Sequence, residues 1–435
     1  MASKLSKDTI ERPRKGVVQL EPSLRRLDEY IKTEHYEGFD PYDALGSPFI
    51  RSLSNSWLRL ALTQLFIYSP MNLRKIFKVR PGRYPKGTAL FLSSYCYMYR
   101  AGLIQKDIMC GATTELALLL MDSYVKGFHG HSWGAYFDIQ SVGAKSSNPA
   151  GTTSIVHAAM VGDAFFDLYE VTQDRRYLDE ALSAADFITR DLNIVEGEHG
   201  LYFSYRPNDE VIIFNGSVMG AAFLSRVYSF NRKSELLDYA KKAVDFTIMH
   251  QEDDGSWAYS LDPRSGRKRF QTDFHQGFII NALGDFIHYT KPSDGKYEEA
   301  LRKGVCFYKE KQFDVVGRSM WRLPWRWPID IHHQAQGILT FAKLWRYDAR
   351  FLPLAVKIAT WTIDNMQDPT GYFYFQKYPI GANRISYMRW SQAWMMFSLS
   401  YLLMSIREYE DASMSDQAPS RMARAERGIE HVGDA

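Results

Sequence analysis

Cysteine, long apolar runs and excess charge are all scarce in this sequence of 435 residues. The 3 cysteines, Cys96, Cys110 and Cys306, are odd in number and lack metal-ligand spacing, which fits a reduced intracellular setting. No apolar run reaches the roughly 18 residues of a membrane-spanning helix. The first residues also lack the apolar segment of a secretory signal, so we expect a cytoplasmic protein. A net charge of +3 is close to neutral for a chain of this length and implies no general affinity for nucleic acid.

The sequence does contain a repeat. A stretch that begins at Thr272 returns twice, and alignment on its glutamine places Gln276, Gln334 and Gln392 58 residues apart in both steps. Each copy stands at the head of an apolar helical run. A fixed period of this length indicates a repeat architecture, which also brings equivalent side chains to one place.

Helical segments alternate in pairs along the chain. The first members of the pairs begin at nearly regular intervals, near Thr88, Pro149, Asn215, Asp273, Asp330 and Met388. Their partners span 107–126, 178–192, 236–250, 297–313 and 354–367. We assign Trp57–Tyr68 as the sixth partner, which closes a ring. The pattern predicts an all-α fold, an (α/α)6 toroid of six hairpins at 50–410, with an N-terminal extension at 1–49 and a disordered tail at 411–435.

The links from outer to inner helices contain a glycine followed by aromatic residues, as in Gly255-Ser-Trp-Ala-Tyr. Such links predict short β-like segments at one rim of the ring. Because these long links lead into the inner helices, we expect function at this rim. The first residues, to about 22, are polar and proline-punctuated and are expected to be disordered or loosely attached.

The hairpin period, the glycine-aromatic links and the polar starts of the inner helices resemble the six-hairpin glycosidase superfamily. The segment Asp40-Pro-Tyr-Asp and the stretch around Arg389-Trp390 are similar to six-hairpin proteins associated with surface-polysaccharide synthesis. The Arg-Trp pair is also similar to the C-terminal domain of glucuronyl 5-epimerases, but their downstream tyrosine and histidine are missing. The resemblance implies an (α/α)6 toroid that acts on carbohydrate.

Two aspartates and two histidines are the candidate catalytic residues. Asp273 and Asp330 stand at the starts of consecutive inner helices. His275 follows Asp273 by two residues, and His332 follows Asp330 by two residues. A pair of carboxyl groups can hydrolyse a glycosidic bond, and histidine can move protons near neutral pH. As an alternative, the aspartates cap their helices and the histidines are hydrogen-bonded core residues.

Arg389 offers a fork of donors for a substrate carboxylate, sulfate or phosphate. The other candidate binding residues suit sugar hydroxyls or rings, and they are His333, Gln276, Gln334, Gln392, Trp390, Trp257, Tyr259 and Tyr387. The glutamines could instead satisfy loop backbones. No helical histidine pair of the zinc-enzyme kind occurs, so we expect no metal, and no cofactor is implied.

These residues favour an enzyme that acts on an acidic, uronate-containing glycan by hydrolysis, elimination or epimerisation, with an oligosaccharide or polysaccharide as its partner. Two alternatives stay open. The stretch Ala243–Trp257 is similar to the repeat of squalene cyclases and prenyltransferases, and a glycan-binding role without catalysis is compatible with the same residues. The basic segment 71–86 could contact an anionic membrane or remain a solvated surface. The oligomeric state is undetermined.

Overall fold

Six inner helices form a closed ring at the centre of the molecule. A computed structural model describes residues 8–140 and 147–414, with side chains from Val17 onward. The inner helices are α4 (Pro85–Arg100), α6 (Ile155–Thr172), α8 (Phe214–Asn231), α10 (His275–Thr290), α12 (Ile331–Lys343) and α14 (Trp394–Met414). Each packs against the next one, and α14 packs against α4. The prediction of an all-α (α/α)6 toroid is confirmed.

Six outer helices surround this ring. Five of them match the predicted partners, and they are α5 (Lys106–Asp122), α7 (Arg175–Arg190), α9 (Ser234–Met249), α11 (Lys296–Gln312) and α13 (Phe351–Met366). The sixth is α1 (Asp8–Thr33), which packs against α13 and α14. The prediction that Trp57–Tyr68 would be the sixth outer helix is therefore wrong.

The difference between the two N-terminal helices is one of amphipathic spacing. α1 buries a stripe of apolar side chains at helical intervals, namely Leu20, Leu24, Leu27 and Ile31. The expected disorder is therefore wrong from Asp8 onward, while residues 1–7 lie outside the described part. In contrast, α3 (Ser56–Tyr68) packs mainly on α2 (Pro48–Ser52) and on the short 3-10 helix Asp43–Gly46. Its Trp57 side chain is 77% exposed.

A glycine in each outer-to-inner link brings the backbone against the next outer helix. Gly255 has a φ of 90°, and a β-carbon there would collide with the carbonyl of Lys303 in α11. Gly371 has a φ of 109° and would collide in the same way with Arg26 in α1. Only glycine combines this backbone conformation with so close an approach. The contact of Gly371 independently places α1 in the outer ring.

Short antiparallel strands precede the inner helices. β1 (Ile194–Gly197) pairs with β2 (Gly200–Phe203), while β3 (Ile212–Ile213), β4 (Ser260–Leu261) and β5 (Lys268–Arg269) form a second sheet. β6 (Ile329–Asp330), β7 (Gln376–Lys377) and β8 (Ala382–Asn383) form a third. β3 and β6 lead directly into α8 and α12. We call the N-terminal ends of the six inner helices, with the loops that precede them, the rim.

The C-terminal halves of the inner helices form the opposite end of the ring, which we call the base. Arg226 of α8 forms ion pairs with Asp163, Asp167 and Glu170 of α6 at 3.0, 2.8 and 2.9 Å. Lys343 of α12 is paired with Asp285 of α10, and Tyr97 of α4 donates a hydrogen bond to Asp167. Charged groups at the base are thus neutralised by partners on neighbouring inner helices.

The last described helix, α14, ends at Met414, so residues 411–414 are helical. The rest of the predicted tail, 415–435, lies outside the described residues. Among the helices described, none is both long enough and apolar enough to cross a membrane.

Candidate functional site

Polar and aromatic side chains from all six inner helices meet at the rim. One side of the rim, formed by α4, α6, α8 and their loops, contributes Tyr84, Lys86, His157 and Tyr205. The other side, formed by α10, α12, α14 and their loops, contributes Tyr259, Phe274, His275, His332 and Trp390. Several of these side chains keep accessible surface, namely Lys86, Tyr205, Tyr259, Phe274 and His275. They are the groups that a ligand at the rim would meet.

Asp273 and His275 form a tightly bonded pair at the start of α10. The Asp273 Oδ1 lies 2.5 Å from Nδ1 of His275 and also accepts from its backbone N–H at 3.1 Å. Burial alone would raise the pKa of Asp273, but the charge and hydrogen bonds of His275 outweigh it and lower the pKa. Asp273 is 1% exposed, whereas the His275 side chain is 16% exposed. The imidazole therefore faces the rim, and the carboxylate orients it from behind.

Asp330 is enclosed by three donors at the start of α12. Its carboxylate accepts hydrogen bonds from Nε1 of Trp390 at 3.0 Å, Nε2 of Gln376 at 3.0 Å and the backbone N–H of His332 at 2.9 Å. It is therefore the N-cap of α12, as the capping alternative proposed. Burial raises its pKa to about 6. The three hydrogen bonds lower the pKa and the negative charge of Asp273 raises it, but burial has the largest effect. Two nearby carboxyl groups thus have pKa values displaced in opposite directions.

The His332 imidazole is surrounded by aromatic rings, and neither of its nitrogens forms a hydrogen bond with a described residue. Its ring centroid lies 4.4 Å from Phe274, 4.4 Å from Trp390 and 4.7 Å from Trp394. Neither ring nitrogen has a partner among the described residues. Burial holds the pKa of His332 well below its ordinary value, so the ring is neutral. A buried imidazole with both nitrogens unpartnered is a site where a water or ligand hydroxyl would be favoured.

Arg389 has a different partner from the one expected. Its Nε and Nη2 atoms donate to the two carboxylate oxygens of Asp40 at 2.6 and 2.9 Å, and its guanidinium lies 4.5 Å from the Tyr84 ring. This two-pronged geometry is the one expected for a substrate carboxylate. An internal carboxylate occupies the fork, so Arg389 ties the loop at Asp40 to the π-helical turn Met388–Ala393.

The three repeated glutamines hold the links rather than a ligand. Gln276 accepts from the N–H of Trp257 at 2.9 Å and donates to its carbonyl at 2.8 Å. Gln392 bonds Phe373 in the same way, at 2.8 and 2.9 Å. Gln334 accepts from the N–H of Ser319 at 2.7 Å. The repeat reflects fold geometry, which was the alternative reading, and the assignment of these amides to sugar hydroxyls is corrected.

Three further binding candidates are enclosed in the core. Trp257 has no exposed surface, and its Nε1 donates to the carbonyl of Thr247 at 3.0 Å. Tyr387 is also fully buried, with the Arg74 guanidinium 4.7 Å from its ring. His333 donates through Nδ1 to Met320 O at 2.7 Å, and burial lowers its pKa to about 4. Since none of them reaches the surface, the assignment of these residues to substrate binding is corrected.

Lys86 is a rim residue that sequence reasoning missed. It stands in the first turn of α4, 5.7 Å from the Tyr84 ring, and keeps some accessible surface although protein encloses it. Burial, with the nearby positive charge of Arg389, lowers its pKa to about 7. His157, whose ring stacks on that of Tyr84 with a centroid distance of 5.6 Å, was also missed. Their positions in the sequence could have identified them, because both residues stand at the start of a predicted inner helix.

The described residues contain no group of three or more His, Cys, Asp or Glu side chains that could hold a metal ion. The basic side chains of the segment 71–86 do not all lie on one surface. Arg74 is fully buried against Asp43 at 2.7 Å, and Lys86 belongs to the rim. The exposed cations that remain in this segment are Lys75, Lys78 and Arg80.

Comparison with solved structures places this architecture among known folds. An α-mannanase of glycoside hydrolase family 76 from Bacteroides thetaiotaomicron aligns with a TM-score of 0.58 and 15% identity, covering 76% of this chain and 88% of that one. Cellobiose 2-epimerase from Bacillus thermoamylovorans aligns with a TM-score of 0.60 and 12% identity, covering 76% and 90%. An unsaturated glucuronyl hydrolase specific for heparin aligns with a TM-score of 0.56 and 17% identity, covering 78% and 89%.

The protein has the (α/α)6 fold of these structures. No protein-family model matches the sequence, and no curated protein matches it significantly.

Within this six-hairpin fold, the stretch that is similar to cyclases and prenyltransferases has a structural role. Gln251 donates to the carbonyls of Gly255 and Ala300, at 2.9 and 3.0 Å, and so ties the link to α11. Gln367 repeats the first of these bonds with Gly371 at 2.9 Å.

Proposed function

We propose that the protein is a carbohydrate-active enzyme whose substrate is an acidic, uronate-containing glycan bound at the rim. The observation that carries this proposal is the Asp273–His275 pair, because a buried, ionised carboxylate holds a partly exposed imidazole at the rim. Three proteins with this fold are named as a mannanase, a sugar epimerase and an unsaturated glucuronyl hydrolase. Their names support sugar chemistry at this rim.

The charges of the rim favour an acidic sugar. Lys86 stands on one side without an ion pair among the described residues, beside Arg206, which is paired with Asp209 at 3.4 Å. The carboxylate of Asp40 is already neutralised by Arg389. A substrate carboxylate would therefore meet Lys86 rather than Arg389, and at pH values below about 7 the lysine carries its charge.

The roles of the ionisable groups follow from their exposure. His275 takes or delivers the proton, since its Nδ1 is held by Asp273 and its Nε2 is left for the substrate. Asp273 is a positioning residue. Asp330 is protonated in part near pH 6 and holds Trp390 and Gln376 in place. His332 can bind a hydroxyl through either of its unpartnered nitrogens.

The reaction is tested by incubating the protein with a panel of uronate-containing oligosaccharides in deuterated water and following the products by NMR. Deuterium at carbon 5 without cleavage identifies an epimerase, an unsaturated product identifies a lyase, and a new reducing end alone identifies a hydrolase. Neutral mannosides, cellobiose and isoprenoid diphosphates complete the panel. Turnover restricted to neutral sugars would overturn the acidic substrate, and binding of isoprenoid diphosphates alone would overturn sugar chemistry.

The role of His275 has a matched control in the same chain. His275→Asn should lower turnover by roughly 10²–10⁴-fold, the usual contribution of a positioned acid or base. His129 also has a carboxylate on Nδ1, Asp191 at 2.7 Å, but its side chain is 59% exposed and lies outside the rim. His129→Asn should retain full turnover. Equal activity of the two folded variants would remove His275 from the mechanism.

A cytoplasmic location remains a prediction. It is supported by free cysteines at positions 96, 110 and 306, none of which forms a disulfide. Cell fractionation with antibody detection tests it, and recovery from an extracellular or periplasmic fraction would contradict it.

A further inference from the structure

A surface on the N-terminal side of the molecule exposes large apolar side chains together with positive charge. It consists of α2, α3 and the segment 69–80, and we call it the α3 surface. Its exposed apolar residues are Phe49, Trp57, Leu58, Leu65, Tyr68, Met71 and Ile76. Three of them are largely uncovered, with Trp57 at 77%, Met71 at 67% and Ile76 at 73%. An apolar cluster of this kind on a soluble face marks an interaction site.

The underside of this surface is firmly attached, so the exposure is not that of a loose segment. Phe66 is buried in a small cluster with Ala44, Leu45, Ile50 and Val79. Below it, the Arg74 guanidinium is fully buried and bonds Asp43 at 2.7 Å. The α3 surface is thus a structured layer with its apolar outer face uncovered.

The charge of the α3 surface has one sign. The sequence contains no Asp or Glu between Asp43 and Asp107. Arg51, Lys75, Lys78 and Arg80 are exposed, and within the described part of the chain none of these four forms an ion pair. Exposed apolar side chains interspersed with unpaired cations are the pattern of a peripheral membrane contact, in which aromatic and aliphatic groups enter the interface and cations meet anionic headgroups.

We propose that the α3 surface binds an anionic lipid bilayer peripherally. Charge complementarity decides between the possible occupants. A second copy of the chain docked through the same face would bring two positively charged surfaces together, which is unfavourable. An anionic bilayer satisfies both the cations and the apolar side chains. This proposal does not depend on the reaction at the rim, and it replaces the contact predicted for 71–86, of which Arg74 and Lys86 are turned inward.

The test is co-sedimentation of the full chain with vesicles of phosphatidylcholine alone and with vesicles that contain phosphatidylglycerol. The protein should bind the anionic vesicles at low salt and be released as salt increases. A double variant, Trp57→Ser with Ile76→Ser, and a second one, Lys75→Glu with Lys78→Glu, should each reduce binding by about tenfold or more. The matched control is Val315→Ser with Ile380→Ser, at side chains 89% and 94% exposed elsewhere.

The control variant should bind as the wild type does. Circular dichroism and thermal melting confirm that each variant folds, which is expected because all six positions are exposed. Absence of binding to anionic vesicles, or equal binding to both vesicle types, would overturn the proposal. So would a wild-type dimer, seen by light scattering, that dissociates on Trp57→Ser with Ile76→Ser while vesicle binding stays unchanged, because the occupant would then be a second copy.

Discussion

The rim and the base are the two ends of one helical ring, and both contain buried ionisable groups. At the base, every charge described above has a partner on a neighbouring inner helix, as Arg226 does with Asp163 and Asp167. At the rim, within the described part of the chain, Lys86 has no ion pair and the His332 imidazole has no hydrogen bond. The base is complete without a ligand, whereas the rim leaves polar groups for one.

This contrast separates charge that stabilises the ring from charge that is available for chemistry. A neutralised cluster of buried ions holds helices in register, and breaking one member leaves the others unpaired. Unpartnered buried groups cost stability, and such costs are concentrated at functional sites. Substitutions at the two ends should therefore have opposite effects on the free energy of unfolding.

The largest effect on stability is expected at the base. Arg226→Met leaves Asp163, Asp167 and Glu170 without their common partner, so it should lower the free energy of unfolding by about 3 kcal/mol. Urea unfolding measures this change. Lys242, 40% exposed and paired with Glu196 at 3.2 Å, is the control, and Lys242→Met should cost less than about 1 kcal/mol. A similar loss in the free energy of unfolding for both variants would contradict a stabilising role of the buried ion pairs at the base.

The next effect depends on pH and is expected at Lys86. Its pKa is about 7 in the folded protein and 10.5 when unperturbed, so the unfolded chain binds the extra proton between these values. Stability should therefore rise as pH increases from 7 toward 10.5, and the cost of charging Lys86 is fully present below pH 7. The free energy of unfolding of Lys86→Met should exceed that of the wild type by roughly 1–3 kcal/mol near pH 6. This difference should disappear near pH 10. A pH-independent difference in thermal unfolding would contradict this assignment.

The smallest effect is expected at His332. Replacing it by leucine removes two unpartnered ring nitrogens from a cage of aromatic rings, so stability should rise by about 1 kcal/mol. Differential scanning calorimetry checks this as an increase in melting temperature. His333→Leu is the control, because His333 does donate a hydrogen bond, to Met320 O at 2.7 Å, and its loss should destabilise. A destabilised His332→Leu would mean that its nitrogens have partners.

The repeat period of the sequence was sufficient to predict the ring of inner helices, but not to identify the sixth outer helix. Equal spacing identified the inner helices, because each hairpin must span the same distance. The sixth outer helix was misassigned because the density of apolar residues in α3 was taken as a sign of burial. The correct signal was the narrow stripe from Leu20 to Ile31 within a charged helix.

The site was less predictable because its partners are distant in sequence. The repeated glutamines marked the rim correctly in position, but their hydrogen bonds go to the links. Arg389 and Asp40 are 349 residues apart, and no local pattern reveals such a pair. Lys86 was hidden within a basic segment in which Lys75, Lys78 and Arg80 lie on the surface. One sequence shows which residues share a helix end, but not which of them already have partners.

A crystal structure of the protein soaked with a glucuronate-containing disaccharide would show whether the sugar binds at the rim. We expect electron density between Lys86 and His275, with the uronate carboxylate near the lysine and a hydroxyl near His332. Density at the base, or a carboxylate bound to Arg389 with Asp40 displaced, would contradict this expectation.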